Sequence, residues 1–350
     1  MDLNLLVPII VVAALLVFLV MWAVRIVPQA HRYNVERFGR YRATLAKLQP
    51  RMERLRASGD SELYGLALWF GAIAEGRLGR HLEAERMYAR LVDVRRAQAG
   101  TRARSMQLAW ALSDHGGALL TLGEAARGRA QLEQAARMFG ELGGANHPHR
   151  QAPLIRLARH ELALGRWQQA RDLAQPAYAA LLPATDWQNW TIYAALTAMP
   201  AHARLGDAAS ARAIMAAFDE MAVQGLDRDF PYLREDHWTG YAATWLALGE
   251  PAKAKEEIER LRSLLREPDA SQLLPAKLAC FDAELALANG DTGAVRPLAQ
   301  RCRDRYAAVL PAASPLLAWP DRLLSKTVVS KTVVPKAGIK PAAEAPTAAP

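Results

Sequence analysis

The sequence predicts an all-α protein, an N-terminal transmembrane helix followed by an α-solenoid of about six helical pairs. Three observations predict it. First, a helix-ending glycine returns at Gly79, Gly123, Gly165, Gly206, Gly249 and Gly290, at intervals of 44, 42, 41, 43 and 41 residues. Leucine precedes it in the first five copies, and five places later stands Ala84, Gly128, Ala170, Ala211 or Ala254, with Val295 in the weaker sixth copy. A fixed period of this size marks stacked supersecondary units that share a continuous core. Second, the composition is 51% apolar and Ala-rich with only 7% aromatics, and few runs alternate with period two, which favours helix over sheet. Third, Leu5 to Val24 is a run of 20 residues without a charge, long enough to span a bilayer as a helix.

The apolar run sets the first expectations. Pro8 sits in its first turn, where a missing N–H is tolerated, and Trp22 near its far end, where an indole suits the headgroup interface. The segment before it carries Asp2 and no Lys or Arg, which suits an uncleaved anchor better than a signal peptide. The membrane anchor is therefore expected to run from Leu5 through Trp22 to Val24. Residues 25–56 follow with nine basic residues against Glu36 and Glu53. The positive-inside rule then predicts a single-pass inner-membrane protein, N-terminus out and repeat body cytoplasmic. Arg25, Arg32, Arg37, Arg40 and Arg42 are expected near anionic lipid headgroups.

The organisation reads as an anchor over 1–24, a basic juxtamembrane segment and helical connector over 25–60, the solenoid over 61–320, and a disordered Pro/Ala/Lys-rich tail over 321–350. The pairs are expected at about 61–97, 102–143, 150–183, 187–225, 232–267 and 272–310, with Asp60, Asp186 and Asp269 as candidate caps. The net charge of +9 lies in the two ends, and residues 57–320 are neutral, so the body is not expected to bind nucleic acid. Cys280 and Cys302 are too few for a disulfide framework. They are expected as buried thiols, although they fall on the two helices of one pair and could meet.

Two stretches resemble known families. Val24-Arg25-Ile26-Val27-Pro28-Gln29, with Val35-Glu36-Arg37-Phe38-Gly39-Arg40-Tyr41 and Thr44-Leu45, resembles the anchor and first strand of stomatin-like (SPFH, paraslipin-type) proteins. That resemblance implies a membrane anchor with a cytoplasmic body. The Pro-Gly-Leu stretch that opens the SPFH domain is missing, since the chain continues Ala46-Lys47-Leu48-Gln49-Pro50. Residues 61–310 resemble tetratricopeptide (TPR) repeats. With each turn glycine as position 15, position 8 reads Ala72, Gly116, Ala158, Met199, Ala242 and Ala283, and position 20 reads Ala84, Gly128, Ala170, Ala211, Ala254 and Val295. The units exceed the usual 34 residues and lack the Pro at position 32, as in longer kinesin-light-chain-type or bacterial regulatory arrays.

The TPR resemblance implies a concave groove lined by positions 2, 5, 9, 12 and 13 of each first helix. Here those include Trp69, Arg77, Trp110, Ser113, Arg159, Tyr193, Arg204, Asp236, Thr239, Lys277 and Glu284. Aromatic and cationic points of this kind suit a protein or peptide partner. No Walker loop, His-Glu-x-x-His, Gly-x-Ser-x-Gly or Cys-x-x-Cys occurs. His147-Pro148-His149 reads as a turn, and His160-Glu161 lacks a second His at i+4. The expectation is a scaffold or adaptor on the cytoplasmic face of the membrane, with no catalytic, cofactor or metal site. A regulatory module of a signalling kinase or transcriptional regulator, and an oligomeric stomatin-like membrane scaffold, are the alternatives.

Overall fold

A computed structural model describes residues 41–100, 105–144, 147–183, 188–223 and 231–329. Among them are fourteen α-helices and no strand. Helix α1 (Tyr41–Ala57) leads into six hairpins. These are α2 (Ser61–Arg77) with α3 (His81–Ala99), α4 (Met106–Thr121) with α5 (Ala125–Gly143), and α6 (Gln151–Leu164) with α7 (Trp167–Leu181). They continue with α8 (Gln188–Arg204) and α9 (Ala208–Val223), α10 (Arg234–Ala247) and α11 (Pro251–Ser263), and α12 (Leu274–Ala288) and α13 (Thr292–Ala307). Helix α14 (Ala318–Val329) follows. Each hairpin coincides with one of the spans expected from the glycine spacing.

The turn chemistry explains the period. All six turn glycines adopt φ between +74° and +89°. After each one, the next N–H donates to the carbonyl five residues back: Arg80 to Glu75, Glu124 to Leu119, Arg166 to Glu161, Asp207 to His202, Glu250 to Trp245 and Asp291 to Ala286. This left-handed helix stop satisfies carbonyls the helix would otherwise leave open, and it favours a residue without Cβ. The small positions mark where the helices of a pair cross. Ala72, Ala84, Ala158, Ala170, Ala242 and Ala254 are buried to within 1%. The second hairpin is closest: a Cβ on Gly116 would lie 2.9 Å from the Gly128 carbonyl oxygen, and one on Gly128 2.8 Å from that of Gly116. Met199 and Val295, the two bulkier residues at these positions, are fully buried as well.

The array does not stay open. Later segments return to the turns of the first three hairpins and donate to the carbonyls at their helix ends. The Gln272 N–H reaches the Leu78 carbonyl at 3.0 Å, and its side-chain amide reaches that of Gly79 at 2.8 Å. Ser314 Oγ donates to Thr121 at 2.7 Å, and the Arg322 guanidinium to Ala163 at 3.1 Å. Gly79, Gly123 and Gly165 are thus docking points. At Gly123 an added Cβ would collide with the backbone of Ala313, whereas Gly206, Gly249 and Gly290 have open space there.

Several expectations are corrected. Among the described residues no helix is long and apolar enough to cross a membrane, so the described fold is an all-helical array without a membrane-spanning helix. Leu5, Trp22, Val24, Arg25, Arg32, Arg37 and Arg40 lie outside the described residues. Arg42 falls in α1, where its backbone N–H donates to Asp269 Oδ1 at 3.0 Å. Asp269 therefore ties α1 to the loop after the fifth hairpin and does not cap a helix. Asp60 does cap, accepting from the Leu63 N–H at 3.0 Å, and Asp186 lies outside the described residues. Helix α14 runs to Val329, into the span expected to be disordered tail, because Leu317 and Leu323 give the segment apolar residues to bury against α12 and α13.

Cys280 and Cys302 are not two free thiols. They form a disulfide between α12 and α13, fully buried in the cluster of Tyr306, Leu310, Leu317 and Leu323. A cross-link over a sequence separation of 22 restricts the unfolded chain and is worth about 3 kcal/mol.

Gly123→Ala and Gly206→Ala separate the two classes of turn. Both force a Cβ into a left-handed turn at about 1 kcal/mol. Gly123→Ala must also push residues 311–316 off the second hairpin, so its urea midpoint should fall at least twice as far as that of Gly206→Ala. Equal losses would show that the returning segment does not bear on that turn.

Candidate partner-binding cavity

Closure converts the expected groove into a central cavity of about 1410 Å³. Its wall comes mainly from the first helix of each hairpin, with α3 and residues 264–273 contributing as well and Tyr41 of α1 and residues 315–322 at the closing side. Ten of the eleven groove residues expected from sequence line it: Trp69, Arg77, Trp110, Arg159, Tyr193, Arg204, Asp236, Thr239, Lys277 and Glu284. Ser113 does not. It is fully buried behind the wall with its hydroxyl unpartnered among the described residues, and its neighbour Asp114 faces the cavity instead.

The lining residues bond to each other across the array. Three carboxylates, each on a different hairpin, organise the wall. Asp114 of α4 accepts from the Trp69 indole at 2.8 Å and from Arg156. Asp236 of α10 pairs with Arg77 at 3.0 Å and with Arg159 at 2.7 Å. Glu284 of α12 accepts from the Trp319 indole at 2.8 Å and from Arg204. Lys277 pairs with Glu235 at 2.7 Å. Arg77 also donates to Tyr193 Oη and to the Tyr232 carbonyl, which joins the first hairpin to the fourth and to the turn before the fifth. Indole N–H and guanidinium groups together occupy most of the lone pairs a buried carboxylate presents.

The aromatic side chains lie among these ion pairs. Trp110 stacks on Trp190 with ring centroids 5.9 Å apart and meets His149 edge-on at 5.2 Å. Arg156 lies over Trp190 at 5.1 Å, and Arg159 over Tyr193 at 4.8 Å. Trp167 faces two guanidinium groups, Arg322 at 5.2 Å and Arg204 at 5.8 Å. Such stacking holds the cations in place at roughly 0.5–2 kcal/mol each. His147 and His149 read as a turn here too: the His149 N–H donates to His147 Nδ1 at 3.3 Å, and the two rings lie 4.5 Å apart.

The cavity is positive although the body is neutral. Its wall carries eight Arg or Lys against six Asp or Glu. Burial alone would push the Asp236 carboxyl up, but the charges of Arg159, Arg77 and Lys277 outweigh it and hold it at about 2. Asp114 goes the other way: burial raises it, and Arg156 and the Trp69 indole offset this only in part. Burial also lowers the guanidinium pKa of Arg322, with Glu284 opposing and the nearby charge of Arg204 adding to the shift.

Sequence reasoning missed Asp114, Arg156, Trp167, Trp190, Trp319 and Arg322. Asp114 and Arg156 both occupy position 6 of their repeats, one place after the position taken to face the groove. Two opposite charges at matched positions of adjacent Ala-rich helices were the available signal. Trp167 opens the second helix of its pair, Trp190 stands two places before position 1 of its repeat, and Trp319 and Arg322 lie beyond the last repeat, so none of them falls on a groove position.

Asp236→Asn should leave Arg77 and Arg159 facing each other without a counter-charge and cost about 2–3 kcal/mol at pH 7. A depressed carboxyl contributes stability above its unfolded pKa near 3.8 and loses it as the pH falls through about 2. The gap between wild type and variant, followed by urea unfolding, should therefore narrow below pH 3.8. Equal stabilities at pH 7 would remove the cross-cavity lock.

No protein-family model matches this chain, and no curated protein matches it.

Proposed function

We propose that this chain is a binding protein, non-catalytic, whose closed helical array holds a segment of a protein partner in its central cavity. The observation that carries the reading is the convergence of inner-face residues from all six hairpins on one cavity. Its volume of about 1410 Å³ exceeds the roughly 300–1,000 Å³ typical of small-molecule sites, which favours an extended segment or a helix. Trp110, Trp190 and Tyr193 offer rigid aromatic area, and Arg159, half exposed, offers a cation at the surface of the wall. Residues of these types supply most of the energy at protein interfaces. Small side chains buried at the helix crossings favour a TPR-like unit.

The immobilised full chain should capture its partner at least tenfold better than Trp110→Ala or Arg159→Ala does. Arg137→Ala, on the exposed face of α5, should behave as wild type. Equal capture by all four proteins would move binding away from the cavity.

The Cys280–Cys302 bond supports an oxidising compartment for the array, because such bonds persist outside the reducing cytosol. That is the opposite side from the one the basic flank predicts. Alkylation of thiols during cell lysis, followed by mass measurement, decides between them. The oxidised pair should be recovered without label, and stoichiometric labelling of both cysteines after unfolding would return the body to a reducing compartment.

A further inference from the structure

We propose that Arg322 and Arg204, with Trp167 between them, form a subsite for a carboxylate of the bound segment. The inference rests on the reading of the cavity as a partner site and names the chemistry it recognises at one end.

Four observations carry it. Arg322 and Arg204 converge on the Trp167 ring, at 5.2 and 5.8 Å, so two guanidinium groups share one aromatic platform. Of the two carboxylates near Arg322, Glu284 is already taken by Arg204 and by the Trp319 indole. Among the described residues the Arg322 guanidinium makes one hydrogen bond, to the Ala163 carbonyl at 3.1 Å, and no ion pair, although Arg322 and Trp167 both line the cavity. A guanidinium has five N–H donors in a planar fork, so most of those of Arg322 remain available. Its neighbour Asp321 pairs instead with Arg303 at 2.8 Å.

The other cavity cations differ from Arg322. Arg77 and Arg159 share Asp236, Arg156 has Asp114, and Lys277 has Glu235. A partner reaching them must displace an existing carboxylate. At Arg322 it need displace only water. A carboxylate matches the fork in bidentate geometry and supplies the charge that this end of the cavity lacks. A half-buried guanidinium beside a second cation gains more from such a partner than an exposed surface arginine does. Partner carboxylates come from two sources, an acidic side chain or a chain terminus.

The test uses the full chain and fluorescein-labelled hexaglutamate with its C-terminus free or amidated, read by anisotropy at low salt, with hexalysine as control. Both hexaglutamates should bind and hexalysine should not. Loss of binding on amidation alone would identify the chain terminus as the recognised group, and equal binding of both an acidic side chain. Arg322→Gln should weaken binding at least tenfold and Arg322→Lys by less. Glu284→Gln releases Arg204 from its internal partner and should tighten binding several-fold, an outcome that mere structural damage would not produce. Equal affinity of wild type and Arg322→Gln, or no tightening in Glu284→Gln, overturns the subsite. Competition by millimolar inorganic phosphate with the same dependence on Arg322 would replace peptide carboxylate by a general anion site. If hexaglutamate fails while partner capture still depends on Trp110, the subsite falls and the cavity reading stands. If capture loses its dependence on Trp110 as well, both fall.

Discussion

The fold depends on hydrogen bonds that close the array on itself. Each first helix ends at a glycine turn, and such an end leaves carbonyls that need donors. In the first three hairpins, donors come from far along the chain: Gln272, Ser314 and Arg322. A stack of identical hairpins would contact only nearest neighbours and could lengthen without limit. These long-range contacts instead bring the fifth and sixth hairpins, and α14, beneath the first three. The geometry of the inner face follows, because the first helices then surround a space where an open array would leave a shallow groove.

The same closure explains why arginine dominates the wall. Residues 159 positions apart, Arg77 and Asp236, become neighbours only because the ends meet. In the partly desolvated interior an unpaired charge is costly, so each cation needs a carboxylate or an aromatic face. Asp236 answers two arginines at once, which is why its carboxyl stays ionised despite burial. Asp114 answers one and is correspondingly raised. The wall is therefore both the lock of the array and its candidate recognition surface.

Much of the fold was legible because it obeys local rules. The left-handed glycine stop and the small residues at the crossings are local constraints with a fixed spacing, and they placed all six hairpins. The repeat register together with the groove positions that the TPR resemblance implies gave eleven inner-face residues, ten of which line the cavity. What stayed hidden depends on contacts across the array. Gly79, Gly123 and Gly165 read the same as Gly206, Gly249 and Gly290, yet among the described residues only the first three meet returning chain. Asp269 read as a helix cap because its role depends on Arg42, 227 residues away. Helix α14 read as tail because its apolar residues are too few to show a period, and they are buried only against a neighbour a single-helix pattern does not reveal.

On the proposed function, closure also limits how a partner would bind. Inserting a segment near Arg77, Arg159 or Arg204 breaks an ion pair that holds the array together. Charge-assisted hydrogen bonds are worth roughly 1.5–3 kcal/mol each, so an apolar segment would lose there much of what it gains by burying its surface. A segment with its own carboxylate replaces the lost partner and leaves the guanidinium satisfied. The proposed binding to this wall would then be an exchange of carboxylates, favourable in the aromatic contacts and nearly balanced in the ion pairs. Arg322 breaks that balance. It lies where α14 closes the cavity, between the Ala163 carbonyl and the Trp167 ring, and among the described residues it forms no ion pair that a ligand would have to break. A ligand that neutralises it would strengthen the closing contact as it binds, so occupancy and closure would favour each other.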